Sequence, residues 1–202
     1  PGRQDDAVRK ICCSRCLAAQ KERRAADAGE VPIARLKAAD DLTHRRLAHA
    51  VHQHIGLGIG HVLEGIRLHK LLTQLDIEPG SVIDAPVHYG GPVEPSRGFV
   101  LHSLDWGGEG TVQASNRFAL TGTMDVLKAI AGGRGPSRWL VALGYAGWGA
   151  GQLDEEMLRH GWHVVDGDDD LVFDLSAAER WTRAFHGDGI DPRLLSPASG
   201  NA

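Results

Sequence analysis

The chain has 202 residues, 42% of them hydrophobic and 24% charged, which is enough for one domain with a sizeable core. Its net charge of −4 is uneven: residues 1–70 carry 13 Lys/Arg against 8 Asp/Glu, or +5, whereas residues 71–202 carry 9 against 18, or −9. No run of 18 apolar residues can span a bilayer, no secretory pattern is visible, and an acidic second part repels a phosphate backbone over most of its surface.

All three cysteines fall between Cys12 and Cys16, and all eleven aromatic residues lie at or beyond Tyr89. Aromatic rings supply much of the area that a core buries, so the two parts of the chain do different physical work. A disulfide framework is not expected from such a cluster, and the cytoplasm is the expected compartment. Over 34–51 a helical stretch has Leu36, Leu42 and Leu47 as its larger apolar residues, but their spacing makes no continuous face. Six histidines follow between His44 and His69. With so few large apolar groups, residues 1–67 are read as weakly ordered and residues 68–202 as the folded domain.

Leu68, Leu71, Leu72 and Leu75 share one helical face, and Pro79-Gly80 is the predicted stop. Strands are predicted at Ser81–Ile83, Gly98–Ser103 and Arg117–Leu120, with a turn at Tyr89-Gly90-Gly91-Pro92. Thr123 is the predicted N-cap of a helix over Met124–Ala131 that Gly132-Gly133 ends. Trp139–Leu143 is a continuous apolar run, as in a strand covered on both faces. A helix over 152–160 is predicted to turn Leu153, Met157 and Leu158 inward and Glu155 and Glu156 to solvent, with Glu156 in reach of His160. Trp162–Val165 and Leu171–Phe173 read as strands, and Ser176-Ala177-Ala178-Glu179 as a capping box opening a helix that buries Trp181 and Phe185. Strands mixed irregularly with helices predict an α+β fold of mixed α/β layers, a single compact domain with flanking helices.

Several local patterns imitate functional motifs. Cys13-Ser14-Arg15-Cys16 has zinc-knuckle spacing, and His49 with His54 would complete four ligands, but over thirty residues without the strand or helix signature of a zinc module separate the pairs. Gly56-Leu57-Gly58-Ile59-Gly60 lacks the spacing and preceding strand of a dinucleotide loop. Gly132–Ser137 follows a helix and carries no Lys-Ser/Thr, so it reads as a C-cap and turn. Asp166–Asp170 alternates acids like a calcium loop, yet Leu171 and Ala177 stand where that loop needs Gly and Glu. Arg97, His102 and the Gly90-Gly91 turn are candidates to converge on an anion or small ligand. For His102 a structural hydrogen-bonding role is the simpler account. Tyr145, Gly147 and Trp148 end the most apolar strand, where open sheets place binding crevices; tight packing with Trp148 as a core plug is the plainer reading.

The segments Gly90-Gly91-Pro92-Val93, Arg97-Gly98-Phe99-Val100-Leu101-His102, Thr121–Ala131 and Ala142-Leu143-Gly144-Tyr145-Ala146-Gly147-Trp148 resemble the YqgE/AlgH family of small bacterial proteins. Gly151-Gln152-Leu153, Phe173-Asp174 and Arg180-Trp181 continue the resemblance in the same order, over about 71–202. The resemblance implies a compact mixed α/β fold without an established catalytic mechanism, and a family name linked to transcriptional regulation of exopolysaccharide production. The apolar strands with which that family begins have no counterpart in 1–67, so this segment is read as a shifted frame or an unrelated extension.

The expectation is thus a non-catalytic regulatory or interaction protein with a protein partner or small ligand, without metal or cofactor. The alternative is a small-ligand or nucleotide-binding protein, or a weak hydrolase, using Gly90, Gly91, Arg97, His102, Tyr145, Gly147 and Trp148. A third, nucleic-acid binding, rests on the basic N-terminal tail alone.

Overall fold

The computed structural model describes residues 55–56, 61–159, 162–165 and 167–194. Its strands are β1 (Ile55–Gly56), β2 (Val62–Arg67), β3 (Pro86–Tyr89), β4 (Val93–Ser103), β5 (Thr111–Gln113), β6 (Phe118–Thr121) and β7 (Trp139–Gly147). Its α-helices are α1 (Leu68–Gln74), α2 (Met124–Ala131), α3 (Gln152–Leu158) and α4 (Ala177–Gly187). The strands form one mixed sheet in the order β2-β3-β7-β4-β6-β5, with β1 paired to the far end of β7. Among the described residues only the β3–β7 pair is parallel. This is the α+β architecture that the mixed pattern predicts.

The apolar run at 140–143 becomes the buried middle of β7 because both of its faces are covered. Val141 and Leu143 join Val87, Val100 and the leucines of α1 in the main core, closed by Val126, Leu127 and Ile130 of α2. Leu140 packs on the other face with Phe118 and Val172. A third cluster, Val165, Leu171 and Ala184, holds α4 to the segment before it.

Helix α1 is capped at its start from a distance: the Asp84 carboxylate accepts the His69 N–H at 2.8 Å while pairing with Arg67 at 2.9 Å. The His69 N–H is the main reason that the Asp84 carboxyl sits below its ordinary value. The helix stops before Pro79-Gly80, at Asp76. That residue takes a left-handed φ of 57°, and the N–H of Ile77 returns to the Leu72 carbonyl at 2.9 Å. Leu72 and Ile77 both enter the core, which is the hydrophobic contact this C-terminal motif needs. Helix α2 ends as predicted, with Gly133 left-handed at φ 68° and Arg134 N–H on the Ala129 carbonyl at 2.8 Å.

Other expectations need correction. Ser81–Ile83 is not a strand: Ile83 is 74% exposed, and the strand begins at Pro86, where the missing N–H is tolerated. Strand β5 has no counterpart in the prediction, because three residues with one apolar side chain make no period. Residues 162–165 are irregular, and Leu171–Phe173 lies inside a π-helical turn over Asp170–Asp174. That turn sends Leu171 to the α4 cluster and Val172 to the sheet, while the Phe173 ring meets Phe118 edge-on at 5.6 Å. Leu158 is 81% exposed, so only Leu153 anchors α3 to the core. Strand β2 pairs antiparallel with β3, so the sheet reaches upstream of the 67/68 boundary. The Ser176–Glu179 capping box is present, and the Trp181 and Phe185 rings stand 5.0 Å apart.

Candidate functional site

Strand β4 is bulged at its beginning: Val93 pairs with Tyr145 and Gly98 with Leu143, so the four residues 94–97 stand opposite Gly144 alone. Two glycines make room for this. A Cβ on Gly91 would lie 2.2 Å from the Tyr145 carbonyl carbon, and one on Gly144 would lie 2.3 Å from the Gly91 oxygen. The Gly90 N–H donates to Leu143 O at 2.7 Å. Gly90 and Gly91 are thus packed backbone to backbone against β7.

The bulge sets Arg97 in an unusual place. Its side chain is 11% exposed, and Nη1 pairs with Glu94 at 2.9 Å. The guanidinium carbon lies over the Phe99 ring, 5.2 Å from its centre, and Phe99 meets Tyr145 edge-on at 5.7 Å. The remaining edge, Nε with Nη2, is shielded from solvent and donates to nothing among the described residues. A buried donor without an acceptor costs about 1–3 kcal/mol, and more when charged. Arg97 lines a small, mostly apolar cavity with Leu71 of α1, Leu75 just beyond that helix, Val100, Leu143, and the start of α2 around Met124. Of the seven predicted site residues, Arg97 alone lines it.

Five residues along β4, His102 is fully buried and complete. Its Nδ1 lies 2.8 Å from the Ser103 carbonyl, which only accepts, so Nδ1 carries the proton and Nε2 accepts from the Thr121 hydroxyl at 2.9 Å. Thr111 then donates to Thr121 at 2.8 Å, and the Gly108 N–H donates to Thr111 at 3.0 Å. Every proton in this chain has a direction. Burial pushes the His102 imidazole below its ordinary value, partly opposed by the Ser103 carbonyl and by Asp105.

At the other end of β7, Trp148 belongs to a separate cluster. The Glu156 carboxylate accepts from Trp162 Nε1 at 2.7 Å, Trp148 Nε1 at 3.1 Å and Gln152 Nε2 at 3.0 Å. The two indoles meet edge-on at 5.4 Å. These donors, the Trp162 N–H first, hold the Glu156 carboxyl below its ordinary value. Glu156 is therefore a tie between α3 and the end of β7, contrary to the expected solvated face. His160, its expected partner, lies outside the described residues. Gly147 pairs with Ile55 in β1, so strand pairing occupies that strand end.

The structure thus divides the predicted site into Arg97 with Tyr145 through Phe99, His102 with Thr121, and Trp148 with Glu156. Sequence reasoning missed Glu94, Thr121 and Glu156; only Glu94, three residues before Arg97, left a readable signal. In the acidic run, Asp168 caps the π turn by accepting Leu171 N–H at 2.7 Å, and Asp169, Asp170 and Asp174 gather on Arg138. Among the described residues no group of three His, Cys, Asp or Glu side chains is placed to hold a metal. The predicted 34–51 helix, Cys13, Cys16, His49, His54, Gly58, Gly60 and Asp166 lie outside the described residues. No helix among those described is long and apolar enough to cross a membrane.

A family model described as AlgH-like (DUF179) matches residues 47–193. The match takes in residues 47–67, where an unrelated or frame-shifted segment was expected. A UPF0301 protein of Sphingopyxis alaskensis is 56% identical over 148 residues, which is 73% of this chain and 79% of that protein. One from Rhizorhabdus wittichii is 55% identical over 155 residues, covering 77% and 83%. The solution structure of the AlgH protein from Pseudomonas aeruginosa is 36% identical with a TM-score of 0.60, over 75% of this chain and 80% of that one. A crystal structure of a Corynebacterium diphtheriae protein, 16% identical with a TM-score of 0.53 over 72% and 73%, shares the fold alone.

Proposed function

The chain belongs to the AlgH-like family, and on that premise we propose that it works by binding, as a non-catalytic regulatory or interaction protein with a receptor cavity for a small ligand. The observation that carries this reading is the Arg97 edge, two buried donors without an acceptor among the described residues, on a side chain that lines a small cavity. His102 supports it from the other side, since both of its nitrogens are committed inside the core. A transcription-linked role, taken from the family name, would run through a protein partner in the cytoplasm. The charge of −9 over residues 71–202 weighs against a nucleic-acid partner.

Thermal unfolding against nucleotides, sugar phosphates, sugars and carboxylic acids tests the reading, beside a cavity-filling Leu75→Phe variant. A compound class that stabilises the native chain and not the variant supports it. If no class acts in a cavity-dependent way, the reading fails. A weak hydrolase is the second reading, favoured by the Thr121 hydroxyl at 2.9 Å from His102 Nε2. It requires turnover of an ester or phosphoester that falls about a hundredfold in Thr121→Val.

A further inference from the structure

Strand β7 runs into α3 through Gly147-Trp148-Gly149-Ala150-Gly151, and of these three glycines only Gly151 has a left-handed φ, 75°. A Cβ on Gly147 or Gly149 would meet nothing closer than 3.7 Å. Gly91 and Gly144 are required by the close approach of two backbones, whereas no close contact requires Gly147 or Gly149. What they give the connection is backbone freedom.

The helix that follows has little stability of its own. Seven residues are too few for an isolated helix in water, no side chain caps its start, and Leu153 is its one buried residue. Leu158 is exposed, and the Glu155–Arg159 pair lies in solvent. None of the three hydrophobic clusters includes a residue of α3. Its polar attachment is the Glu156 carboxylate, which takes one N–H from the connection before the helix, at Trp148, and one from the segment after it, at Trp162.

We propose that α3 is a hinged latch: it opens as one unit on the glycine-rich connection while the sheet stays folded, and the Glu156 carboxylate is its catch. Opening breaks the ties to both indoles and brings Leu153 to water beside the end of β7. It takes no member from any hydrophobic cluster, so the sheet and α4 keep their packing. One buried leucine and one shared carboxylate are a small part of what holds the whole domain, which places the open state well below global unfolding. The latch lies at the other end of β7 from His102 and does not depend on the reading of Arg97.

The test is amide hydrogen exchange of the full chain in low urea, read residue by residue by NMR where exchange reports the opening equilibrium. The Glu155 and Arg159 amides, bonded to Gly151 and Glu155 carbonyls, exchange with almost no dependence on urea. The amides of 140–143 in β7 exchange with the slope of global unfolding. Two variants separate the levels. Glu156→Gln weakens the catch and speeds exchange at 155 and 159 about tenfold. His102→Ala weakens the sheet without touching the latch, so 140–143 exchange about a hundredfold faster while 155 and 159 change by less than about twofold. The proposal is overturned if the α3 amides share the urea slope of β7 or show no protection at all. It is equally overturned if they follow β7 in His102→Ala, or if Glu156→Gln leaves them unchanged. The urea slope needs only the native chain, so a poorly folding variant does not weaken the result.

Discussion

The two ends of β4 hold buried polar side chains that solve the same problem differently. At its C-terminal end His102, Thr121, Thr111 and the Gly108 N–H form a directed chain of hydrogen bonds closed on the Ser103 carbonyl. At its bulged beginning Arg97 has an ion pair and a ring, yet one donor edge is unspent. A closed network gains from the low dielectric around it and helps specify one core arrangement. An unclosed one costs stability in the empty protein and is repaid only when a partner arrives. On the proposed reading, the closed end belongs to the fold and the open end to binding.

The largest expected effect breaks the closed end. His102→Ala removes a fully buried ring and leaves Thr121 without its acceptor, so urea unfolding should show a loss of about 3 kcal/mol with an unchanged denaturant slope. Glu156→Gln, in the third polar cluster, keeps the shape but not the charge that three donors share. It should cost about 1–2 kcal/mol by the same measurement, with a change in tryptophan fluorescence.

A smaller effect follows from protonation. His102 sits below its ordinary value of 6.5 because it is buried. Below that pH the unfolded chain takes up a proton that the folded chain refuses, so the contribution is full above about 6.5 and declines as the pH falls. Between about pH 6.5 and 5 the native chain should lose stability, and His102→Gln should show a shallower slope over the same range.

The smallest effect is the most informative. Arg97→Met replaces an incompletely paired buried cation with an apolar side chain of similar length, leaving Glu94 one-third exposed to water. The ligand-free variant should match the native stability to within about 1 kcal/mol or exceed it. A loss as large as that of His102→Ala would place Arg97 among the fold residues and remove the contrast between the two ends.

Much of the fold was legible because its signals are local. The leucines of α1, the α2 span with its Gly133 stop, the apolar run of β7 and the Ser176 capping box each fit within about ten residues and agree with their surroundings. The errors arose where distant residues decide. Asp84 caps α1 from another loop, and Leu171-Val172-Phe173 coils because neighbours on two sides claim consecutive side chains. An apolar triplet alone does not distinguish a strand from a turn. For the site, Arg97 was visible in the sequence, but its open edge was not. That edge depends on a four-against-one bulge and on two glycines, Gly91 and Gly144, far apart in the chain. Glu156 looked like an ordinary helix-surface acid because Trp148 and Trp162 meet it only in three dimensions.

The most direct measurement is the proton resonance of the Arg97 Nε–H, followed by NMR in the ligand-free native chain and then with any compound that stabilises it. An edge without an acceptor should leave that proton near the position of an unbonded guanidinium, and binding at Arg97 should move it downfield in step with saturation. An Nε–H already far downfield in the ligand-free chain would contradict the account.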